Sequence, residues 1–197
     1  MKNKDKYMLC SDEELMVEII VHHSHPALAL LHERYSGKLY GYFLKMMNDR
    51  EKASDFVQDI FLKIMEKKHL FDPERKFQAW IFTIASNMCK TAFRSPQFVA
   101  LSSEEIDQKS HGHLSENLHE KERFKILYKR SLNQLEMHHK TTFILRYMEN
   151  FSLNDIAEIT EVSVGTVKSR LFYATQKMTK LLHEYDPRQE INLFKIN

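Results

Sequence analysis

Glycine and proline are scarce, four of each in 197 residues. Such a chain has little material for the frequent tight turns of a sandwich or barrel, and its apolar residues recur at steps of three and four rather than alternating. No stretch reads as a strand, and the expected class is all-α. Cysteine is scarcer still: Cys10 and Cys89 lack CxxC spacing, which excludes a disulfide framework and leaves reduced thiols. No run approaches eighteen apolar residues, so a membrane-inserted chain is not expected, and the Lys- and Asp-bearing N-terminus does not resemble a secretory leader. The reading is a cytoplasmic protein. A net charge of only +2 gives no global sign of a polyanionic partner, so any such signal must be local. P-loop and dinucleotide glycine motifs are both missing, and no acid pair has a companion nucleophile. An enzyme, a cofactor and a small-molecule substrate are therefore not expected. Histidines at 22, 23 and 25 and at 111 and 113 lack a Cys or carboxylate framework at ligand spacing, so no metal is expected either.

What is present is helix. Ser11 with Glu14 forms a capping-box pattern ahead of Leu15, Ile19 and Ile20, and Pro26 opens a second helix running through Leu30, Leu31, Leu39, Phe43 and Met46 to Asn48-Asp49. From Glu51 to Lys68, Ala53, Phe56, Val57, Ile60, Phe61, Ile64 and Met65 mark a half-buried helix. A loop at Asp72-Pro73 precedes an amphipathic helix from Phe77 to Arg94. Periodicity is then lost between Ser95 and Lys125, where Ser recurs five times and six acids oppose four bases. This segment reads as a flexible linker between two small helical domains, 11–94 and 126–183, with a tail over 184–197 left unassigned.

In the second domain, Leu132, Leu135, Phe143, Ile144, Tyr147 and Met148 mark one or two helices with a break near Asn133. Ser152 with Asp155 caps a short helix bearing Leu153, Ile156 and Ala157, and a turn at Glu161 to Ser163 leads to a helix with Val167, Leu171, Ala174 and Met178 inward. This is a helix-turn-helix. Thr166, Ser169, Arg170, Tyr173 and Lys177 share its outer face, and Val164 to Leu182 carries Lys168, Arg170, Lys177 and Lys180 with no acid. Ser163 and Gly165 stand at its start, where a missing side chain lets the helix N-terminus approach a phosphate backbone. Thr, Ser and Arg suit base edges and Lys suits phosphate, so duplex DNA is the expected ligand. The plain alternative is a solvated basic face on an ordinary bundle.

The run from Phe143 to Ala157, FILRYMENFSLNDIA, with Ser163 to Leu171, SVGTVKSRL, resembles region four of RNA polymerase sigma factors of the extracytoplasmic-function subfamily. The segments from Asp55 to Lys63, DFVQDIFLK, and from Phe77 to Asn87, FQAWIFTIASN, resemble region two of the same family, in the same order. The resemblance implies that region two binds core RNA polymerase and opens the downstream minus-ten element, while region four reads the upstream minus-thirty-five element. It also implies an anti-sigma factor as a further partner, membrane-linked and clamping the two domains together. Thr91 stands where the family commonly has Asp, Ser86 where Arg is frequent, and Tyr173-Ala174-Thr175 replaces a more basic run.

Two further faces gain a reading from that family. Asp55, Gln58, Asp59 and Leu62 fall on one exposed side of their helix and suit a basic helical partner, which the resemblance names as the coiled coil of the polymerase's largest subunit. Thr83, Ser86, Asn87, Lys90, Thr91 and Arg94 form a polar stripe with Trp80 toward the same side, a surface suited to an opened strand. Stacking on Trp80 offsets part of the cost of unpairing, with a core or domain-wall position as the alternative. The resemblance implies that the loop from Leu70 to Lys76 captures an extruded base. Two other readings stay open: a stand-alone helix-turn-helix regulator, and an adaptor binding another protein through its helical faces.

Overall fold

The computed structural model describes residues 7–95 and 120–183. Eight α-helices make up these residues: α1 (Asp12–His22), α2 (His25–Met47), α3 (Arg50–Lys67), α4 (Phe77–Arg94), α5 (Glu120–Asn133), α6 (Met137–Tyr147), α7 (Leu153–Thr160) and α8 (Val164–Leu181). A short 3-10 turn, Lys68–Leu70, follows α3, and no strand occurs among the described residues.

Helices α1, α7 and α8 start on the expected caps, Ser11, Ser152 and Ser163. Ser11 Oγ accepts from the Glu14 N–H at 3.1 Å while Glu14 Oε2 accepts from the Ser11 N–H at 2.7 Å, closing the capping box. Ser24 caps α2, with Pro26 in its first turn. Asp49, expected to end α2, instead caps α3 by accepting from Glu51 and Lys52, and Asn48 alone ends the earlier helix. With glycine so rare, α1, α2 and α7 end on His23, Asn48 and Glu161 in the left-handed conformation, at φ 51°, 58° and 56°. Each of these non-glycine residues carries a steric cost that Gly would avoid.

Helix α5 begins at Glu120, within the segment expected to be linker. Residues 96–119 of that segment, including His111, His113 and the Glu104-Glu105 pair, lie outside the described residues, as does the tail from 184.

Helices α1 to α4 enclose Leu31, Leu39, Tyr42, Phe43, Ile60, Ile64, Phe77 and Phe82, all fully buried. Helices α6 to α8 bury Ile144, Leu145, Ile156, Val167 and Ala174, and these continue the same apolar cluster. The two units also dock on each other, α4 against α7 and α2 against α5 and α6. At this junction the Phe82 ring lies 5.0 Å from that of Phe151, nearly edge-on. Burying two such rings contributes roughly 1.5–3 kcal/mol each. Lys140 of α6 is also buried, and its Nζ donates to the Met46 carbonyl at 2.9 Å and to Asn133 Oδ1 at 2.8 Å. Met46 is in the last turn of α2, where carbonyls lack helical partners and the helix end favours a cation. The sequence pattern indicates two units but gives no sign of this contact.

Candidate nucleic-acid interface

Four buried side chains, Val167, Leu171, Ala174 and Met178, fix the rotation of α8 about its axis. Its opposite face is consequently turned outward. Ser163, Gly165, Lys168, Ser169, Tyr173 and Lys177 are exposed, and Thr166 and Arg170 are half-buried. Ser163 Oγ accepts from the Thr166 N–H at 3.1 Å and lies 3.0 Å from the Thr166 hydroxyl, so the cap holds both residues at the tip of the helix. Lys177 bends back, its Nζ donating to the Gln134 carbonyl in the turn between α5 and α6. A Cβ added at Gly165 would meet nothing nearer than Ser163 Oγ at 3.6 Å. The fold therefore has room for a side chain there.

Two side chains outside the sequence-based set stand beside this face. Phe172 is 61% exposed on α8 itself. His139, contributed by α6, lies 6.0 Å from Tyr173 between ring centroids. Burial, then the nearby His138, Arg170 and Lys177, push the His139 imidazole below its ordinary range, against the opposing pull of Glu136. Phe172 is invisible to a search for polar groups, and His139 comes from a different helix, so helical spacing could not find it.

On α4, Asn87 and Arg94 are exposed, and Trp80, Thr83 and Lys90 are half-buried. Thr83 and Thr91 donate their hydroxyls back to the carbonyls of Ala79 and Asn87, which occupies both donors within the helix. Ser86, expected in the polar stripe, is buried instead, since its side falls toward the buried Tyr42. Trp80 packs edge-on against Phe71 at 5.2 Å and tilted against Phe77 at 6.0 Å, leaving part of its ring open. Trp80 thus braces the loop while part of its ring stays at the surface.

That loop, 71–76, carries Arg75 and Lys76 on its outer side. Arg75 Nη1 pairs with Glu158 Oε1 at 2.9 Å, and Lys76 Nζ with Asp155 Oδ1 at 3.4 Å, both acids belonging to α7. At the loop's end the Phe77 N–H donates to Glu13 Oε1 at 2.8 Å, capping α4 from α1 because Lys76 supplies no side-chain cap of its own. On α3, Asp55, Gln58, Asp59 and Leu62 all lie exposed on one side, while Val57, Ile60, Phe61 and Ile64 are buried on the other. An exposed leucine among acids is the composition of a contact face with an apolar centre.

Residues 31–98 match the sequence family described as Sigma-70 region 2, and residues 126–178 match Sigma-70, region 4. The extracytoplasmic-function RNA polymerase sigma-E factor of Haemophilus influenzae is 30% identical over 175 residues, covering 83% of this chain and 92% of that protein. The chain is an extracytoplasmic-function sigma factor. The RNA polymerase sigma-H factor of Pseudomonas aeruginosa is 26% identical over 180 residues, covering 86% of this sigma factor and 93% of its relative. Among solved structures, RpoE of Bartonella quintana, crystallised with the anti-sigma factor NepR, superposes with a TM-score of 0.58 at 25% identity, over 80% of this chain and 95% of that one. CnrH, solved with the cytosolic domain of CnrY, has the same fold, at TM-score 0.67, 20% identity and coverage of 89% and 99%.

In this sigma factor the region-two match spans most of α2, all of α3 and α4, and the loop between them, while the region-four match spans the helix-turn-helix. No described helix is long and apolar enough to cross a membrane. Glu136, His138 and His139 bring three potential metal-ligand atoms within 4.8 Å of one another, a group that the sequence reading, which weighed other histidines, does not single out. It lies at the start of α6, whose positive end, with Arg170 and Lys177 near His139, opposes a dication.

Proposed function

We propose that this sigma factor binds core RNA polymerase through the outer face of α3 and reads a two-part promoter. Helix α8 enters the major groove of the upstream element, and the α4 face with its preceding loop holds the opened downstream strand. The observation that carries this reading is the fixed rotation of α8, which turns an acid-free, basic and hydroxyl-bearing face outward. Ser163, Gly165, Thr166 and Lys168 meet the phosphate backbone at the helix tip, while Ser169, Arg170 and Tyr173 face base edges. Lys177 contributes charge from the rim. On the other unit Trp80 stacks an unpaired base, and Thr83, Asn87, Lys90 and Arg94 line the strand's path. Asp55, Gln58, Asp59 and Leu62 form the polymerase contact. No step of catalysis falls to this chain, because the polymerase makes the phosphodiester bond. The protein works where polymerase is found, in the cytoplasm, and an anti-sigma factor is a fitting partner, since NepR was crystallised on a structural relative.

Transcription in vitro with core polymerase on genomic DNA, followed by start-site mapping, tests the reading. The expected result is a set of starts that appear only when chain and core are both present and that share an upstream and a downstream element. Tight operator binding by the chain alone, without core-dependent starts, would instead identify a stand-alone regulator. An adaptor would show no salt-dependent DNA binding.

A further inference from the structure

The Cys89 thiol is fully buried on α4, and the function proposed above gives it no task. Phe82, two turns earlier on the same side of that helix, meets Phe151 of the second unit, so Cys89 stands on the face where the units join. Tyr42 of α2 and Lys140 of α6 act on the thiol directly, and Ser86 and Thr141 complete the group through Tyr42. Only five polar or charged side chains are buried among the described residues, and Ser86, Lys140 and Thr141 are three of them. Polarity is therefore concentrated around one sulfur in an otherwise apolar cluster.

This group is rich in donors and short of acceptors. The Tyr42 hydroxyl is fully buried and makes no hydrogen bond. An ammonium has three N–H donors, and Lys140 uses two of them on the Met46 carbonyl and Asn133 Oδ1, which leaves the third. The Thr141 hydroxyl reaches only the sulfurs of Met46 and Met137, at 3.8 and 3.6 Å, and a thioether is a weak acceptor. Among the described residues no carboxylate pairs with Lys140, so its charge is buried without a counter-ion, an arrangement that is costly. An oxygen carried on the Cys89 sulfur supplies an acceptor to Tyr42 and, once ionised, a counter-charge to Lys140.

We propose that Cys89 is an oxidation site for hydrogen peroxide, and that Lys140 and the Tyr42 hydroxyl hold the sulfenate that forms there. While covered, the thiol stays protonated, because burial raises its pKa, and a protonated thiol is inert. Local opening admits water and peroxide. The Cys89 thiolate then attacks one peroxide oxygen: the S–O bond forms, the O–O bond breaks, and the departing hydroxide takes up a proton and leaves as water. Sulfur loses two electrons and the peroxide gains them. The sulfenic acid gives its proton to solvent, and on closure its oxygen accepts from the Tyr42 hydroxyl and from the third N–H of Lys140. That contact ties α4 of one unit to α6 of the other. It also shields the sulfenate from a second peroxide or a passing thiol.

The chemistry at Cys89 stands apart from promoter reading, so its test needs no DNA. The full chain carrying Cys10→Ser, which leaves Cys89 as its one thiol, is treated with hydrogen peroxide and freed of the excess. Dimedone added in urea traps any sulfenate, and peptide mass spectrometry locates it. Thermal melting is compared for the reduced chain, the oxidised chain, and the oxidised chain returned to dithiothreitol. The thiol reductant restores Cys89 but not the sulfoxides that the ten methionines form, so only the reversible part of any shift is counted. The expected result is a dimedone adduct on Cys89 and a melting temperature a few degrees above that of the reduced chain, lost again on reduction. Lys140→Met should abolish this rise and Tyr42→Phe, which keeps the ring in place, should reduce it; the second variant decides the matter if the first does not fold. The proposal is overturned by the absence of an adduct at Cys89, by an oxidised chain that melts at or below the reduced one, or by a full reversible rise in Tyr42→Phe.

Discussion

Lys140 on α6 donates to the carbonyl of Met46 at the end of α2, 2.9 Å across the junction between the two units. The ammonium is buried, and that burial, aided by Lys129 and opposed by Cys89, pulls its pKa from 10.5 down to about 8. Unfolding returns it to water and to its ordinary value. Between about pH 8 and 10.5 the unfolded chain therefore binds more protons, and this group makes stability rise with pH across that window. Below about 8 both states are protonated and its contribution is flat. Cys89 acts in the opposite sense above pH 9, because burial pushes its thiol from 9.0 up to about 12. The expected outcome is a difference in urea-unfolding free energy between wild type and Lys140→Met that shifts by on the order of 2–3 kcal/mol in favour of wild type from pH 8 to 10. A constant difference would show that the ammonium is solvated.

Gly165 separates folding from binding. Its position is helical and its surroundings leave room for a Cβ. Gly165→Ala should leave stability unchanged or raise it by up to about 1 kcal/mol, since Ala is the better helix former. If the helix tip meets the backbone as proposed, the same methyl would stand against a phosphate, and affinity for upstream-element duplex should fall. Thermal melting and a duplex titration on the same protein check the two effects, and equal affinity would remove Gly165 from the interface.

Arg170 is half-buried on the outer face of α8, beside Tyr173 and His139. A guanidinium held there suits the paired acceptors of a guanine edge. Arg170→Ala should cost about 1–3 kcal/mol in discrimination between the upstream element and a scrambled duplex. Lys168→Ala should weaken both duplexes alike and lower the salt slope by roughly 0.9. Competition titrations distinguish the two patterns.

Asp55 and Asp59 are exposed on α3, one turn apart, on the same side as the exposed Leu62. Reversing both to Lys should leave the melting temperature within a few degrees of wild type. Core polymerase binding in a pull-down should drop at least tenfold, since like charge then meets a basic partner. DNA binding by the helix-turn-helix should be unaffected.

Much of this architecture is legible in the sequence because it is local. Ser11 with Glu14 and Ser152 with Asp155 are caps written within four residues, and each starts a helix where the pattern puts it, as Pro26 does in the first turn of α2. The inward positions Val167, Leu171, Ala174 and Met178 likewise follow from helical spacing alone. Glu161 is different: an acid in a left-handed turn conflicts with local preference, and the contacts on either side hold it there. What local pattern cannot show is the partner of each cation. Arg75 and Glu158 are 83 positions apart, and Lys140 reads as one more surface lysine until Met46 is seen beneath it. His139 joins the α8 face for the same reason, through packing between helices rather than spacing within one.

The central claim is that one chain reads two promoter elements at once, one with each unit. Run-off transcription with core polymerase, on a mapped promoter and on the same promoter with five base pairs inserted between its elements, tests it most directly. The insertion turns one element about half a helical turn away from the other. Transcription should fall to near background with the insertion and return substantially when the insertion is removed; equal transcription from both templates would contradict the account.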